Sequence, residues 1–282
     1  MDDDGREGAG MVYGDQVVPV EPFNMLALIH FGERELSALQ SHDERFAGER
    51  RALALAGLRL RAPIPHPIRN IVCVGLNYAE HVAESQSAGG GGAPQHPVFF
   101  TKPPQTVIGP DDEIPWHEHV TRAVDWEVEL AVIIGRQGRD IPEAEALDYV
   151  FGYTVANDVT ARDLQARHQQ WYKGKGLDGY CPLGPAIVTA DEIRDPQQLD
   201  ISLRVNGIEK QRSNTKHMIF GVARLIAEWS AGMTLLPGDI LLTGTPSGIG
   251  ATRQPPEFLR PGDVVEAEVE RIGVLRNTVG GR

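Results

Sequence analysis

The chain has 282 residues, with 39 acidic against 27 basic side chains and a formal net charge of −12, and that length encloses a full hydrophobic core. The acidity, with no basic block anywhere, excludes nucleic acid and anionic membrane surfaces as partners, so an anionic small molecule would need local cations or a bound metal. Two cysteines without CxxC spacing exclude a disulfide framework and a zinc-ligand pattern.

The first ten residues, acidic and glycine-rich, are expected to be disordered and have no signal-peptide core. No apolar run approaches the ~20 residues that span a bilayer, and the expectation is a soluble, cytoplasmic protein. A small N-terminal unit, residues 1–66, is expected to end in the proline-punctuated stretch Pro63-Ile64-Pro65-His66-Pro67, with a catalytic unit over 67–282. Ile71 to Gly75 reads as a short buried strand, and Tyr78 to Ser85 as one or two helical turns. Gly89 to Gly92 reads as a flexible loop. Pro97 to Phe100 and Trp126 to Ile134 read as strands.

Tyr153 to Asn157 reads as a strand running into Asp158, and a helix is expected over Val159 to Gln169. Val205-Asn206-Gly207-Ile208 reads as a tight hairpin turn. Met218 to Trp229 carries apolar residues at helical spacing. Two Pro-Gly-Asp turns, at 237–239 and 261–263, punctuate the last strands. Many Gly and Pro and no regular strand–helix alternation predict a strand-rich α+β fold, not a doubly wound sheet.

The carboxylates carry the functional signal. Glu127 and Glu129 lie two apart on a predicted strand, so both face one way. Most Glu-x-Glu strands are wet faces, and Glu266, Glu268 and Glu270, alternating with Val265, Ala267 and Val269, look like one. In the 126–134 strand both faces turn apolar, through Ala131 and Ile133 on one side and Val128, Leu130, Val132 and Ile134 on the other. Two carboxylates entering a core repel one another and lose hydration unless a cation compensates them. A hard divalent ion with all-oxygen ligands suits them.

Asp158 is a third candidate ligand, although by itself it reads best as a helix N-cap. Arg162 and Gln165 follow at i+4 and i+7, on the helix face beneath it, where a cation and an amide suit an anionic ligand.

Other signals are weaker. Gly174-Lys175-Gly176-Leu177-Asp178-Gly179 fits GxGxxG, but it follows no strand and opens no helix, so it is no dinucleotide fingerprint. Neither a GxSxG elbow nor a P-loop occurs. His117 and His119 lie in a charged segment without an evident third ligand and read as surface residues.

Five ordered motifs then resemble the fumarylacetoacetate hydrolase family over residues 69–279: Gly75-Leu76-Asn77-Tyr78-Ala79-Glu80-His81, Asp125-Trp126-Glu127-Val128-Glu129-Leu130, Asn157-Asp158-Val159-Thr160-Ala161-Arg162-Asp163-Leu164-Gln165, Leu235-Leu236-Pro237-Gly238-Asp239 and Thr243-Gly244-Thr245-Pro246-Ser247-Gly248-Ile249-Gly250. The resemblance implies a mixed β-roll, usually dimeric, with Mg2+ or Mn2+ (Ca2+ in some crystals) held by Glu127, Glu129 and Asp158. It implies His81 as general base, supported by Glu84 on a short lid helix, with Lys175 as the active-site lysine. Arg162, Gln165 and Thr245 match substrate-contacting positions. Arg271 and Lys216-His217 depart from the family, which often has glycine at the first and small or acidic residues at the second.

The implied activity is metal-dependent hydrolysis of a C–C bond in a small 2,4-diketo acid, an acylpyruvate or fumarylpyruvate, to pyruvate and a carboxylic acid, in aromatic or sugar-acid catabolism. Oxaloacetate decarboxylation and isomerisation of 2-hydroxyhepta-2,4-diene-1,7-dioate use the same enolate chemistry and remain open. A non-catalytic ligand-binding protein on the same scaffold has no need of His81, Glu84 and Lys175 together.

Overall fold

The computed structural model describes residues 7–20, 24–31, 52–87 and 92–281. Residues 1–6 and Gly89 to Gly91 lie outside them; of the leading segment expected to be disordered, residues 7–10 are described and ordered, with Ala9 buried and accepting from Val20 N and Gly10 opening a strand. Among the described residues the strands form two large mixed sheets, a three-stranded sheet and a two-stranded ribbon. From edge to edge the larger sheet runs Val98–Lys102, Ile71–Gly75, Ile240–Leu242, Val128–Ile134, Val150–Asn157, Cys181–Thr189, Val107–Ile108. The second runs Ile208–Asn214, Asp200–Val205, Val264–Val269, Gly273–Val279, Glu113–Ile114. This is the strand-rich α+β architecture that the sequence predicts.

Every residue of Val128–Ile134 is buried, because the strand separates two cores. Val128, Leu130, Val132 and Ile134 pack with Leu203, Val265, Ala267 and Leu275 of the second sheet. Ala131 and Ile133 face the other way, into a core shared with Ile71, Cys73, Ala156, Cys181 and Leu183. Glu129, two residues before Ala131, shares that face of the strand and is itself buried. Ile29 and Ile64, from the N-terminal segment, close the core from outside, and the small sheet Gly10–Tyr13, Gln16–Pro19, Leu53–Ala54 stands beside them.

Several elements differ from their predicted bounds. The helix expected over 159–169 is Arg162–Arg167, preceded by a two-residue strand, Thr160–Ala161, that pairs with Val124–Asp125. Two β-branched residues and that ladder hold the chain extended past Asp158. The helix expected from Met218 is Val222–Ser230, capped at Gly221, with Val222, Leu225, Ile226 and Trp229 buried on one face. The 205–208 hairpin has Asn206 and Gly207 at φ 52° and 74°, as a type I′ turn requires. Arg271 has φ 66°, in the left-handed region that glycine enters at least cost.

Candidate active site

Glu127, Glu129 and Asp158 each offer an oxygen within 4.8 Å of the others, and all three are buried. Glu129 sits inside the central strand, Glu127 just before it, and Asp158 just after Val150–Asn157, the neighbour that pairs with it antiparallel. Antiparallel pairing brings the start of one strand against the end of the other, so residues thirty apart in sequence meet. The Asn157 side chain tightens the junction by accepting from Glu127 N at 3.0 Å, and Asp158 N donates to Glu127 O at 2.8 Å. Asp158 is not a helix cap. The cap position is Ala161, and the Asp158 carboxylate is taken by two lysines instead.

Lys175 Nζ lies 2.6 Å from Asp158 Oδ2 and 2.8 Å from Glu127 Oε2. It reaches them from the short helix Tyr172–Lys175. Gly174 lets that helix approach Arg162–Arg167, since a Cβ there would lie 2.7 Å from Gln165 N. Gly174 of the apparent fingerprint thus serves close packing beside the lysine. Lys102 Nζ binds the other Asp158 oxygen at 2.5 Å. Arg162 Nη2 donates to Glu127 Oε1 at 2.6 Å and its Nε to Asp125 Oδ2 at 2.7 Å. Gln165 accepts from Arg162 Nη1 at 3.0 Å.

Burial alone would raise the Glu127 carboxyl, yet the Lys175 and Arg162 charges, and beyond them His81, hold it down to about 2. Glu129 moves the opposite way. Burial, then repulsion by Asp158 and Glu127, raise it well above the carboxylate range, and its hydrogen bond among the described residues comes from Gly244 N at 2.5 Å. Nearby, the buried Tyr78 hydroxyl has no partner among the described residues, and the Glu129 charge adds to the burial that pushes it up. Three converging hard oxygens, one carboxylate without a cation and one orphaned hydroxyl fit a divalent ion of the Mg2+ or Mn2+ class.

Above the carboxylates, His81 and Glu84 lie on the helix Ala79–Ser87. His81 is 7% exposed, and its Nδ1 is 3.3 Å from Glu84 Oε2. Both Glu84 oxygens accept from Gly248 N at 3.1 Å. Burial opposes ionisation of Glu84, but bonds from His81, Thr252 and Gly248 keep it below the ordinary value. A Cβ at Gly248 would lie 2.1 Å from Lys210 O, which explains the glycine.

Thr245, on the same loop, accepts from Gln211 Nε2 at 2.8 Å. His117 Nε2 donates to Asp178 O at 3.1 Å, and His119 is exposed. Neither belongs to the acidic group. The sequence reading did not single out Lys102, Gln211 or Asp125 for a role. Lys102 follows the apolar run Val98-Phe99-Phe100 and is wholly buried, and a lysine ending an apolar strand was the available signal.

A model of the fumarylacetoacetate (FAA) hydrolase C-terminal region matches residues 70–280. The chain belongs to the fumarylacetoacetate hydrolase family. It is similar to the oxaloacetate tautomerase YisK of Bacillus subtilis, 48% identical over 227 residues, covering 80% of this chain and 75% of that protein. Among solved structures it is similar to a fumarylacetoacetate hydrolase from the psychrophile Exiguobacterium antarcticum, with TM-score 0.85, 41% identity and coverage of 100% and 98% of the two chains. It is also similar to maleylpyruvate hydrolase from Sphingobium sp. SYK-6 in complex with manganese(II) and pyruvate, with TM-score 0.77, 31% identity and coverage of 97% and 96%. The family supports an enzyme of small-molecule substrates and a divalent ion. No helix among the described residues is long and apolar enough to cross a membrane.

Proposed function

We propose that this chain interconverts the enol and keto forms of a small 2-oxo diacid of the oxaloacetate type, moving a proton at the carbon beside the 2-oxo group. The observation that carries the reading is the convergence of Glu127, Glu129 and Asp158 with the cations of Lys175 and Arg162. The tautomerase activity named for the Bacillus subtilis relative supports it. This narrows the hydrolase expectation drawn from the motifs to the proton-transfer step that such reactions share.

Held by the three carboxylates, Mg2+ or Mn2+ supplies positive charge that lowers the cost of an enolate oxygen. The remaining work falls to the chain. Lys175 stays protonated, since Asp158 and Glu127 outweigh the burial that opposes its charge, and it faces the same anionic oxygens. Arg162, with Gln165 on its guanidinium, offers a fixed cation for a substrate carboxylate.

Thr245 is oriented as a donor. Gln211 Oε1 accepts from Val128 N and its Nε2 faces the Pro246 carbonyl, so the amide has one orientation. Nε2 then donates to Thr245 Oγ1, and the hydroxyl hydrogen is left for the substrate. His81, its Nδ1 engaged by Glu84, keeps Nε2 to carry the proton to or from carbon.

A second reading, hydrolysis of a 2,4-diketo acid, draws on the same His81–Glu84 pair, which suits activation of water, and on the similar maleylpyruvate hydrolase. Parallel assays separate the two. Accelerated loss of the enol signal of oxaloacetate, without pyruvate release from acetylpyruvate or fumarylpyruvate, supports the tautomerase. Pyruvate release from a diketo acid supports the hydrolase. Pyruvate from oxaloacetate itself marks a decarboxylase.

A further inference from the structure

Lys102 is a wholly buried lysine paired to a candidate metal ligand, and the mechanism above gives it no part. It ends the edge strand Val98–Lys102, opposite Ile71. Pro103 and Pro104 follow, and Thr106 bonds back to Pro103 O through both its N–H and its hydroxyl, so the backbone there has little freedom. Lys102 Nζ donates to Asp158 Oδ1 at 2.5 Å and to Val159 O at 3.1 Å, and both side chains are 0% exposed. The buried thiols of Cys73 and Cys181 lie within the field of this ion pair, and burial keeps both protonated.

The two oxygens of Asp158 are therefore not equivalent. Oδ1 is bound to Lys102, on the side of Val159. Oδ2 shares the Lys175 ammonium with Glu127 Oε2 and so belongs to the carboxylate cluster. We infer that Lys102 is a positioning residue that makes Asp158 a one-oxygen ligand, and that this sets the centre's preference for small octahedral cations over Ca2+. The inference rests on the divalent-ion reading of the three carboxylates. Its chemistry is general: Ca2+ takes six to eight oxygens and often binds a carboxylate through both, whereas Mg2+ requires near-ideal octahedral geometry with single oxygens. Lys175 joins Oδ2 to the neighbouring carboxylate Glu127, whereas Lys102 holds Oδ1 against the backbone at Val159 O, away from the other carboxylates, and so opposes the two-oxygen mode.

The sign of the effect separates positioning from simple charge. A cation beside a dication site repels the ion, so by charge alone Lys102→Met tightens metal binding. If Lys102 instead holds the ligand in place, its loss weakens binding by about 10- to 100-fold, as loss of partners behind metal ligands does.

The experiment uses the full chain, stripped of metal, with Mn2+ binding followed by electron paramagnetic resonance and Mg2+ and Ca2+ as competitors. Wild type is expected to bind Mn2+ and to favour Mg2+ over Ca2+ by at least about tenfold. A folded Lys102→Met variant is expected to bind Mn2+ more weakly and to lose that preference. Equal or tighter Mn2+ binding in Lys102→Met, with the ranking unchanged, overturns the inference. So does a wild type that takes Ca2+ as readily as Mg2+, a result that needs no variant to fold. A wild type that binds no Mn2+ contradicts the metal reading itself, a distinguishable failure.

Discussion

Arg162 Nε lies 2.7 Å from Asp125 Oδ2, and the same carboxylate accepts backbone N–H bonds from Trp126, Gly250 and Ala251 at 2.7–3.0 Å. One buried side chain thus ties the guanidinium that neighbours Glu127 to the loop carrying Thr245 and Gly248. Asp125→Ala leaves part of a buried cation and three N–H groups unpartnered, and a loss on the order of 3–5 kcal/mol is expected. Urea unfolding of the variant measures it. A midpoint equal to wild type contradicts the tie.

The carboxylates oppose each other in their effect on stability. The folded Glu127 carboxyl sits at about 2 against an ordinary 4.5. Its contribution is complete above 4.5 and is lost as pH falls from there toward about 2. Glu84, also lowered, acts in the same direction. Glu129 is raised, so its ionised form burdens the metal-free fold at neutral pH.

Glu129→Gln removes that burden and a metal ligand together. In EDTA the variant is expected to melt above wild type, and added Mg2+ or Mn2+ is expected to stabilise wild type alone. Thermal melts of both proteins, with and without metal, provide the check. A variant that melts lower in EDTA contradicts the assignment of strain to Glu129.

Much of this centre was legible in sequence because alternation shows which strand is dry on both faces. Ala131 and Ile133 following Glu127 and Glu129 distinguished that strand from the wet Glu266–Glu270 face, which the structure leaves partly exposed along Val264–Val269. The partners of Asp158 were not legible. Lys102 stands 56 residues away, on a strand separated from Val150–Asn157 by three others in the sheet order, and meets it only because the sheet curls. Local spacing placed Arg162 beneath Asp158. The structure instead aims it at Asp125 and Glu127, because the extended Thr160–Ala161 segment shifts the helix register.

Gln211 decides the polarity of the Thr245 hydroxyl. In Gln211→Glu a carboxylate replaces the donor and captures the Thr245 hydrogen. A fall in kcat/KM of about 10- to 100-fold is expected, the worth of one hydrogen bond to a charged group. Steady-state kinetics beside Thr245→Val test it, and losses of similar size in the two variants are expected. A Gln211→Glu enzyme with wild-type kinetics contradicts the donor assignment.

His81 carries the proton in both catalytic readings. His81→Ala is expected to lower the rate by roughly 10²–10⁴ while leaving Mn2+ binding in place, since its Nδ1 contact is to Glu84 and not to the carboxylate cluster. Rates and metal titration on one preparation separate the two effects. An unchanged rate places the base elsewhere.

The most direct test follows the decay of enol-oxaloacetate with one preparation, first in EDTA and then after addition of Mg2+ or Mn2+, beside Glu127→Ala. The account predicts acceleration by wild type only with metal, and none by the variant under either condition. Full acceleration in EDTA, or by Glu127→Ala, would contradict a catalytic centre built on Glu127, Glu129 and Asp158.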